Sequence, residues 1–483
     1  MSDILLIEPY EFLSNEYRDN NKYAIYAEKS IAYWSGDARQ TVAIAYPDTI
    51  PADLDIDEIK AKIHWSMPLW FRWMGQADRY EDFQHSCLLF VVCLAQEMRG
   101  LGVKSVVFFT GVAHHIEYSL IEAACQIAGA QQIYLYPMPF FASPGRLLPV
   151  VQHASIRDRK ILAVKVSDKQ VRDEVIAYRD NHLAAKPPQL NEKIDRVATS
   201  YAYALARVAI FGAKAIAKAV LRRNAGLVRH PIDERKDYDA FSILRIVQHQ
   251  KRALEYYLSG MLDEAAVDRL IEAEGALPIL YAHYQPEAST FPEGGDYPTH
   301  LDVVIAIRKL GYRGKILYKE HPGSWIYYSR IVGFSRVGLC RSIEYYRQLA
   351  ALGCVFVPPT YKLSEARSRK LFPVTVTGSI GVERSMVGLA TCCAGLPWFR
   401  GAPGIYDLAG TFGEDGVFYD RQRWQFEPMD GVAWFDRALS MKTINNYPGI
   451  GTGVSSGSAT DKAEFLSEFG ELMRRLDNHA ATQ

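Results

Sequence analysis

Three short runs concentrate the side chains able to do chemistry: HYQPEAST (283–290), YKEHPGS (318–324) and VTGSIGVE (376–383). In the first, the apolar stretch Leu277 to Ala282 runs into His283, Gln285, Glu287, Ser289 and Thr290, with Pro286 enforcing an extended turn. A carboxylate held at such a strand end, here Glu287, has the chemistry of a nucleophile or base toward an anomeric carbon. Capping the next helix, or pairing with a nearby Arg, is the open alternative for the same residue. In the second run Lys315 to Tyr318 delivers Lys319, Glu320 and His321 to a sheet edge, where Pro322 stops the strand. A His or Lys there can donate to a phosphate oxygen as charge develops on a leaving nucleotide; a capping or packing role is the plainer alternative. In the third, the Gly378-Ser379 turn exposes backbone N–H groups ahead of a helix, a phosphate-binding arrangement in which glycines let the backbone approach an anion. An ordinary strand-to-helix turn with Ser379 as N-cap explains the same residues. A fourth run, TGVAHHIE (110–117), offers His114, His115 or Glu117 as acid/base toward an acceptor hydroxyl, with capping as the alternative for the His pair.

The elements that must position these residues follow from apolar periodicity. Residues 103–109 predict a strand, the spacing of Ile116, Leu120, Ala124 and Ile127 a helix, and residues 133–136 a second strand, which together make a βαβ unit and a Rossmann-like N-terminal part. From Leu277 onward, strands at 277–284, 315–321, 354–359, 374–378 and 390–393 alternate with helices at 299–310, 342–352 and 382–389, a second parallel α/β domain. All three runs of this domain then lie beyond carboxyl ends of strands, where open parallel sheets bind ligands. Between them, 151–260 is rich in Ala, Arg and Lys in long helical stretches. The expected division is 1–150 as N-terminal Rossmann-like (acceptor) domain, 151–260 as helical insertion, 261–430 as C-terminal Rossmann-like (donor) domain, and 431–483 as a segment packing back through a helix over Lys462 to Leu476.

Composition excludes several classes. The 483 residues carry 55 Lys+Arg against 55 Asp+Glu, so there is no global electrostatic pull toward nucleic acid or an anionic membrane. Apolar residues at 49% and charged residues at 23% exclude a disordered or coiled-coil chain. The seven cysteines are odd in number and lack any CxxC pair, and the N-terminus has acidic residues where a signal peptide needs basic ones; a reduced, cytoplasmic location is expected. The uncharged stretch from Ala124 to Gly145 is broken by Gln131, Gln132, Pro137, Pro139 and Pro144, so no segment is expected to span a bilayer. Within 198–223, Arg207, Lys214, Lys218 and Arg222 form a basic stripe opposite Leu205, Val208, Ile216 and Val220. Such a helix either packs on its own domain or attaches peripherally to the inner membrane face.

The run HYQPEAST-FPEGG, then KEHP, then TVTGSIGVE resembles the capsule polysaccharide biosynthesis family, whose better-known members are GT-B Kdo transferases using a CMP-activated sugar. The likeness covers Leu277 to Tyr406; the N-terminal half shares only the generic strand-helix pattern. It implies an α/β, GT-B-like fold with two Rossmann-like domains facing a cleft, and a glycosyltransferase of bacterial surface polysaccharide or glycoconjugate assembly. His321 would contact the CMP phosphate with Lys319 and Glu320 beside it. Thr377, Gly378 and Ser379 would bind phosphate or ribose, and Glu383 the ribose or cytosine. Glu287 falls where retaining members carry the attacking carboxylate, with Gln285 in support and Ser289 on the same donor-side run. The partners implied are a nucleotide sugar and a glycan or lipid-linked acceptor. No cofactor or metal is implied, in keeping with a sequence that lacks DxD, HExxH or a clustered Cys/His set. One departure concerns sialyltransferases, whose acidic-acidic-Gly motif precedes the His-Pro pair; here Glu414-Asp415-Gly416 follows it and reads as a surface turn. Two other functions share these features: a CDP-glycerol or CDP-ribitol polyol phosphotransferase, and a non-catalytic sugar-nucleotide-binding subunit of an assembly complex.

Overall fold

The computed structural model describes residues 3–7, 23–27, 30–35, 38–43, 54–65, 80–109, 116–138, 146–152, 156–161, 172–184, 249, 252–283, 293–321, 341–361, 363, 367, 369–440, 444–445 and 459–480. They form an α/β protein of two compact units, one drawn from 1–66, 84–184 and 429–483, the other from 67–83 and 185–428.

The first unit is built on a mixed sheet of β1 (Ile4–Ile7), β2 (Tyr23–Ala27), β3 (Ser30–Ser35), β4 (Ala38–Ala43), β5 (Ser105–Phe108), β6 (Gln131–Met138), β7 (Arg146–Gln152) and β8 (Lys160–Ile161). Its centre, β6-β5-β1-β2, is parallel, while β3 and β4 extend one edge and β7 and β8 the other in antiparallel sense. All four residues of β1, ILLI, are buried, the unbroken apolar reading of a strand covered on both faces. Helices α1 (Ile56–Trp65) and α2 (Tyr80–Leu101) precede β5, α3 (Ile116–Ala128) makes the crossover from β5 to β6, and α4 (Arg172–Ala184) follows β8. The βαβ unit expected from periodicity is therefore present. The sheet runs on past residue 150, because β7 pairs along its whole length with β6.

In the second unit six strands, β9 (Leu277–Tyr281), β10 (Ile316–Lys319), β11 (Cys354–Val357), β12 (Leu371–Thr375), β13 (Thr391–Cys393) and β14 (Ile405–Tyr406), are parallel throughout. Their order, β11-β10-β9-β12-β13-β14, is the doubly wound order 3-2-1-4-5-6, and the winding reverses between β9 and β12. Helix α5 (Glu264–Glu274) buries Val267 and Ile271 against Leu277, Ile279, Leu317 and Leu371 on one face. On the other, α6 (His300–Lys309), α7 (Ile343–Ala351) and the helical residues 252–259 pack on Leu280, Tyr318, Phe356, Phe372 and Val374. Tyr257 belongs to this core, so the sequence boundary at 260 falls inside a packed region. The helix starts are legible chemistry: Thr299 and Asp302 form a capping box on α6, and Ser342 accepts from the Tyr345 N–H at 3.0 Å to open α7. Gly353, at φ 82°, supplies the left-handed turn that returns α7 to β11. A short helix, α8 (Ile380–Ser385), joins β12 to β13, and α9 (Leu408–Phe412) follows β14. Glu414 and Asp415 are exposed in the turn after α9.

The chain then re-enters the first unit. After α10 (Pro428–Ser440), β15 (Ile444–Asn445) pairs antiparallel with β7, and α11 (Ala459–Ala480) lies on the sheet. Phe465, Phe469, Leu472 and Met473, at i, i+4, i+7 and i+8, are buried against Ile4, Leu6, Val107, Ile133, Leu135 and Leu147. Burial at this level is worth about 2 kcal/mol per side chain. The basic stripe at 198–223 lies outside the described residues, and among those described no helix is long and apolar enough to cross a membrane.

Candidate functional site at the winding reversal of the second sheet

Where the winding reverses, the chain leaving β9 and the chain leaving β12 are joined by one imidazole. His283 Nε2 lies 2.8 Å from the Thr375 hydroxyl and accepts from the Thr377 N–H at 3.3 Å, while the Gly378 N–H donates to Thr375 Oγ1 at 3.1 Å. Because a backbone N–H points at Nε2, that nitrogen carries the lone pair, the Thr375 hydroxyl donates to it, and the ring proton sits on Nδ1. Burial, with the charges of His321 and Arg341 adding to it, pushes the His283 imidazole down to about 3, so the ring is neutral. Its peptide group is held as well: the His283 N–H donates to His300 Nε2 at 2.8 Å, and its carbonyl accepts from Arg341 Nη2 at 3.1 Å.

Alternation carried past β10 separates Lys319, its last residue, from Glu320. Glu320 turns into the core and is fully buried. Its carboxylate receives Arg341 Nε at 2.6 Å and Nη2 at 3.1 Å, the hydroxyls of Tyr346 at 2.9 Å and Tyr318 at 3.2 Å, and the His321 N–H at 2.9 Å. Burial alone would raise this carboxyl, but Arg341 and the other donors hold it below its ordinary value. Glu320, expected beside His321 at the donor, is thus surrounded by protein donors, and it fixes where His321 begins. Lys319 faces the other side, half-buried, its ammonium 4.8 Å from the ring centre of Tyr281, its partner in register on β9. Burial pushes Lys319 down to about 8 against the pull of Glu383. Desolvation of its ring lowers the His321 imidazole, Glu320 opposes this, and the cations Lys319 and Arg341 add to it.

Beyond β12, Thr377 is buried and Ser379 exposed. A Cβ at Gly378 would lie 2.6 Å from Thr375 Oγ1 and 3.2 Å from His283 Cε1, so only glycine fits this close approach. Ser379 does not cap α8; its hydroxyl donates to Glu383 Oε1 at 2.8 Å, one turn further on. Glu383 in turn acts electrostatically on both Lys319 and Tyr281, which places the start of α8 beside the ends of β9 and β10. Ahead of α6, Glu293 O accepts from the Leu396 N–H at 2.8 Å.

Of the residues singled out by sequence, Lys319, His321, Thr377, Gly378, Ser379 and Glu383 thus gather at adjoining strand ends. Gln285, Glu287, Ser289 and His114 lie outside the described residues; Glu117 is in the first turn of α3, in the first unit, and its side chain is not among those described. The site residues that sequence reasoning passes over are His300, Arg341, Tyr257 and Tyr346. Tyr257 donates to Val357 O at 2.5 Å and receives the Glu320 N–H at 3.2 Å, tying the loop to the helix beneath. Arg341 carries no local signal except its place just before an N-cap serine, and its partner Glu320 is 21 residues away. Among the described residues no three His, Cys, Asp or Glu side chains are grouped to hold a metal ion. Compared with known proteins, the chain matches no family model, no curated protein and no solved structure.

Proposed function

We propose that the second unit is the nucleotide-sugar donor domain of a GT-B-type glycosyltransferase. The donor is a CMP-activated ulosonic acid such as Kdo, and the acceptor a bacterial surface glycan or a lipid-linked glycan. The observation that carries this is the convergence of Lys319, His321 and the Thr377–Ser379 turn at the reversal point of a 3-2-1-4-5-6 parallel sheet, the place where such sheets take nucleotides. The choice of CMP rests on the likeness of the three runs to the capsule polysaccharide family.

In this reading His321 and Lys319 stabilise the charge that develops on the departing CMP phosphate. The N–H groups of Thr377 and Gly378 are already committed to His283 and Thr375, so phosphate contact in the turn falls to the Ser379 hydroxyl, whose one proton goes to Glu383 in this structure and must turn away from that carboxylate to reach a phosphate oxygen. Glu287 attacks the anomeric carbon, with Gln285 in support. The first unit holds the acceptor, with His114 or Glu117 as acid/base. The protein works in the cytoplasm, with 198–223 as a peripheral contact to the inner membrane face.

A thermal-shift titration with CMP, CDP, UDP and GDP tests the donor, since a ligand of the folded state raises its stability by mass action. Stabilisation by CMP is expected. Preference for CDP would replace sugar transfer by polyol phosphotransfer, preference for UDP or GDP would break the donor assignment, and absence of any shift would overturn the nucleotide site. Glu287→Gln is expected to abolish transfer from CMP-Kdo and keep the CMP shift; a variant that transfers normally would remove Glu287 as the attacking carboxylate.

A further inference from the structure

We infer that His283 is the positioning residue of this site: its Nε2 lone pair holds the turn after β12, and its peptide group is held by His300 and Arg341. One residue thereby sets the relative placement of the loops after β9, β10 and β12. The inference rests on the turn being part of the donor site, and it adds a residue with no ligand contact of its own.

The geometry has three parts. First, the acceptor at Nε2 serves two donors, the Thr377 N–H at 3.3 Å and the Thr375 hydroxyl at 2.8 Å, and that hydroxyl accepts from the Gly378 N–H at 3.1 Å. The turn amides therefore hang on one lone pair and one hydroxyl. Secondly, the same residue is fixed through its main chain, so the turn is referred to α6 through His300 Nε2 at 2.8 Å and to the β10 loop through Arg341, which grips both His283 O and Glu320. Thirdly, the ring packs where Gly378 has no side chain, 3.2 Å from the place a Cβ would take, so the turn and the ring fit only in this arrangement. The ring also stacks on that of His300, centroids 5.7 Å apart, and beyond this packing it is placed as an acceptor at the reversal point of the sheet. The ionisable groups facing it are His300 from α6, Arg341 ahead of α7, and His321 from the β10 loop; burial first, and then the charges of His321 and Arg341, keep its lone pair unprotonated.

The experiment compares four variants that separate acceptor from volume. His283→Met keeps length and loses the acceptor, His283→Gln restores a carbonyl oxygen near the position of Nε2, Thr375→Val removes the hydroxyl at constant shape, and Thr375→Ser keeps it. Amide hydrogen exchange is read at Thr377 and Gly378, and CMP binding is read on the folded variants. Loss of a buried hydrogen-bond acceptor should weaken CMP binding about tenfold or more in His283→Met and Thr375→Val, with faster exchange at those two amides. His283→Gln and Thr375→Ser should stay within about threefold of the parent. If all folded variants keep parental exchange at 377–378, the positioning role is overturned whether or not CMP binds. If exchange responds as expected and the parent protein does not bind CMP, the donor reading fails and the positioning role stands. Should His283→Met not fold, the Thr375 pair probes the same hydrogen bond from its other side, with the same two outcomes.

Discussion

Each unit buries a polar network against a sheet with parallel strands, and the two networks lie at opposite ends of those strands. In the first unit Gln132, near the start of β6, pairs in register with Gln152 at the end of β7. Gln152 Nε2 donates to Glu122 of α3 at 2.5 Å and to Gln132 Oε1 at 3.2 Å, and the Tyr134 hydroxyl donates to Gln132 at 2.7 Å. Arg159 donates to Gln152 at 3.1 Å and to the Tyr136 hydroxyl at 2.6 Å, its guanidinium 4.8 Å from the Tyr134 ring centre. All but Glu122 and Arg159 are strand residues, so the network pins register: a slip of one residue would leave each buried partner unmatched. In the second unit the network gathers at the carboxyl ends of β9, β10 and β12, with partners from the helices, and what it pins is the chain leaving those strands. Similar chemistry thus stabilises a sheet at one end and fixes the departing chain at the other, the end where parallel sheets bind ligands.

The sharpest way to break that contrast is to remove Arg341. Arg341→Met leaves the buried Glu320 carboxylate without its cation, and breaking a buried pair from one side costs about 3–5 kcal/mol. A fall of that size in urea-unfolding stability, with loss of nucleotide binding, is expected. Adding Glu320→Gln should recover most of the stability, because the uncompensated charge is gone, while binding stays weak because nothing then ties His283 O to the β10 loop. Recovery of both properties would reduce the second network to a core element like the first.

Acidification acts on the same network. His283 and His300 are held neutral in the fold by burial, His283 at about 3 and His300 well below its ordinary value. Below about pH 6.5 the unfolded chain takes up protons that the folded chain refuses, so stability present above that pH is lost as pH falls. With two such groups the slope approaches about 2.7 kcal/mol per pH unit below about pH 5.5. His283→Gln should halve the part of the slope that these two residues supply, as measured by urea midpoints between pH 7.5 and 5. An unchanged slope would mean that His283 is protonated in the fold, and its role as acceptor would fall with it.

How much of this was legible in the sequence depends on the range of the interactions. The second unit's strands and caps are local chemistry: the apolar runs at 277–281, 316–319 and 354–357, the Thr299–Asp302 box and the Ser342 cap all lie where periodicity and N-cap preference put them. At the third run, β12 stops at Thr375 and α8 spans only Ile380–Ser385, because the chain between them bends to bring Thr377 and Gly378 onto His283. No local pattern shows that partner, 94 residues away. The same limit hides Arg341 and its buried pairing with Glu320. In the first unit the β5-α3-β6 crossover is legible, while β2 to β4, short strands such as YAIYA and ARQTVA that gain their pairing only from one another and β1, are not.

A matched pair of smaller changes sharpens the comparison. Gly378→Ala drives a methyl against Thr375 and His283, an overpacking cost of about 1–3 kcal/mol. Gln152→Leu leaves Glu122 and Arg159 short of a partner, a similar cost of about 1–3 kcal/mol. At comparable stability loss, nucleotide affinity should drop more than about tenfold in the first variant and stay at the parental value in the second, by titration of the folded proteins. Equal losses of affinity would show that binding follows stability alone and that strand-end position carries no meaning.

Lys319 gives the smallest effect and the finest test, because it lies outside both networks yet at the same strand ends. Its charge is half lost at about pH 8 and goes above it, since burial beside Tyr281 disfavours the ammonium. An anionic ligand that contacts the ammonium raises its proton affinity, so binding takes up a proton and affinity falls by up to about tenfold per pH unit above pH 8, until the bound lysine itself titrates. Between pH 7.5 and 9.5 CMP should therefore bind the parent progressively more weakly, while Lys319→Gln binds less tightly at pH 7.5 and shows a flat profile. Stability should change by less than about 1 kcal/mol, because replacing a partly desolvated cation by an amide removes a charge that the fold does not pair tightly. A sloping profile that survives in Lys319→Gln would assign the pH response to another group and take Lys319 off the phosphate, leaving His321 and Ser379 as its contacts on the strand ends that His283 and Arg341 hold in place.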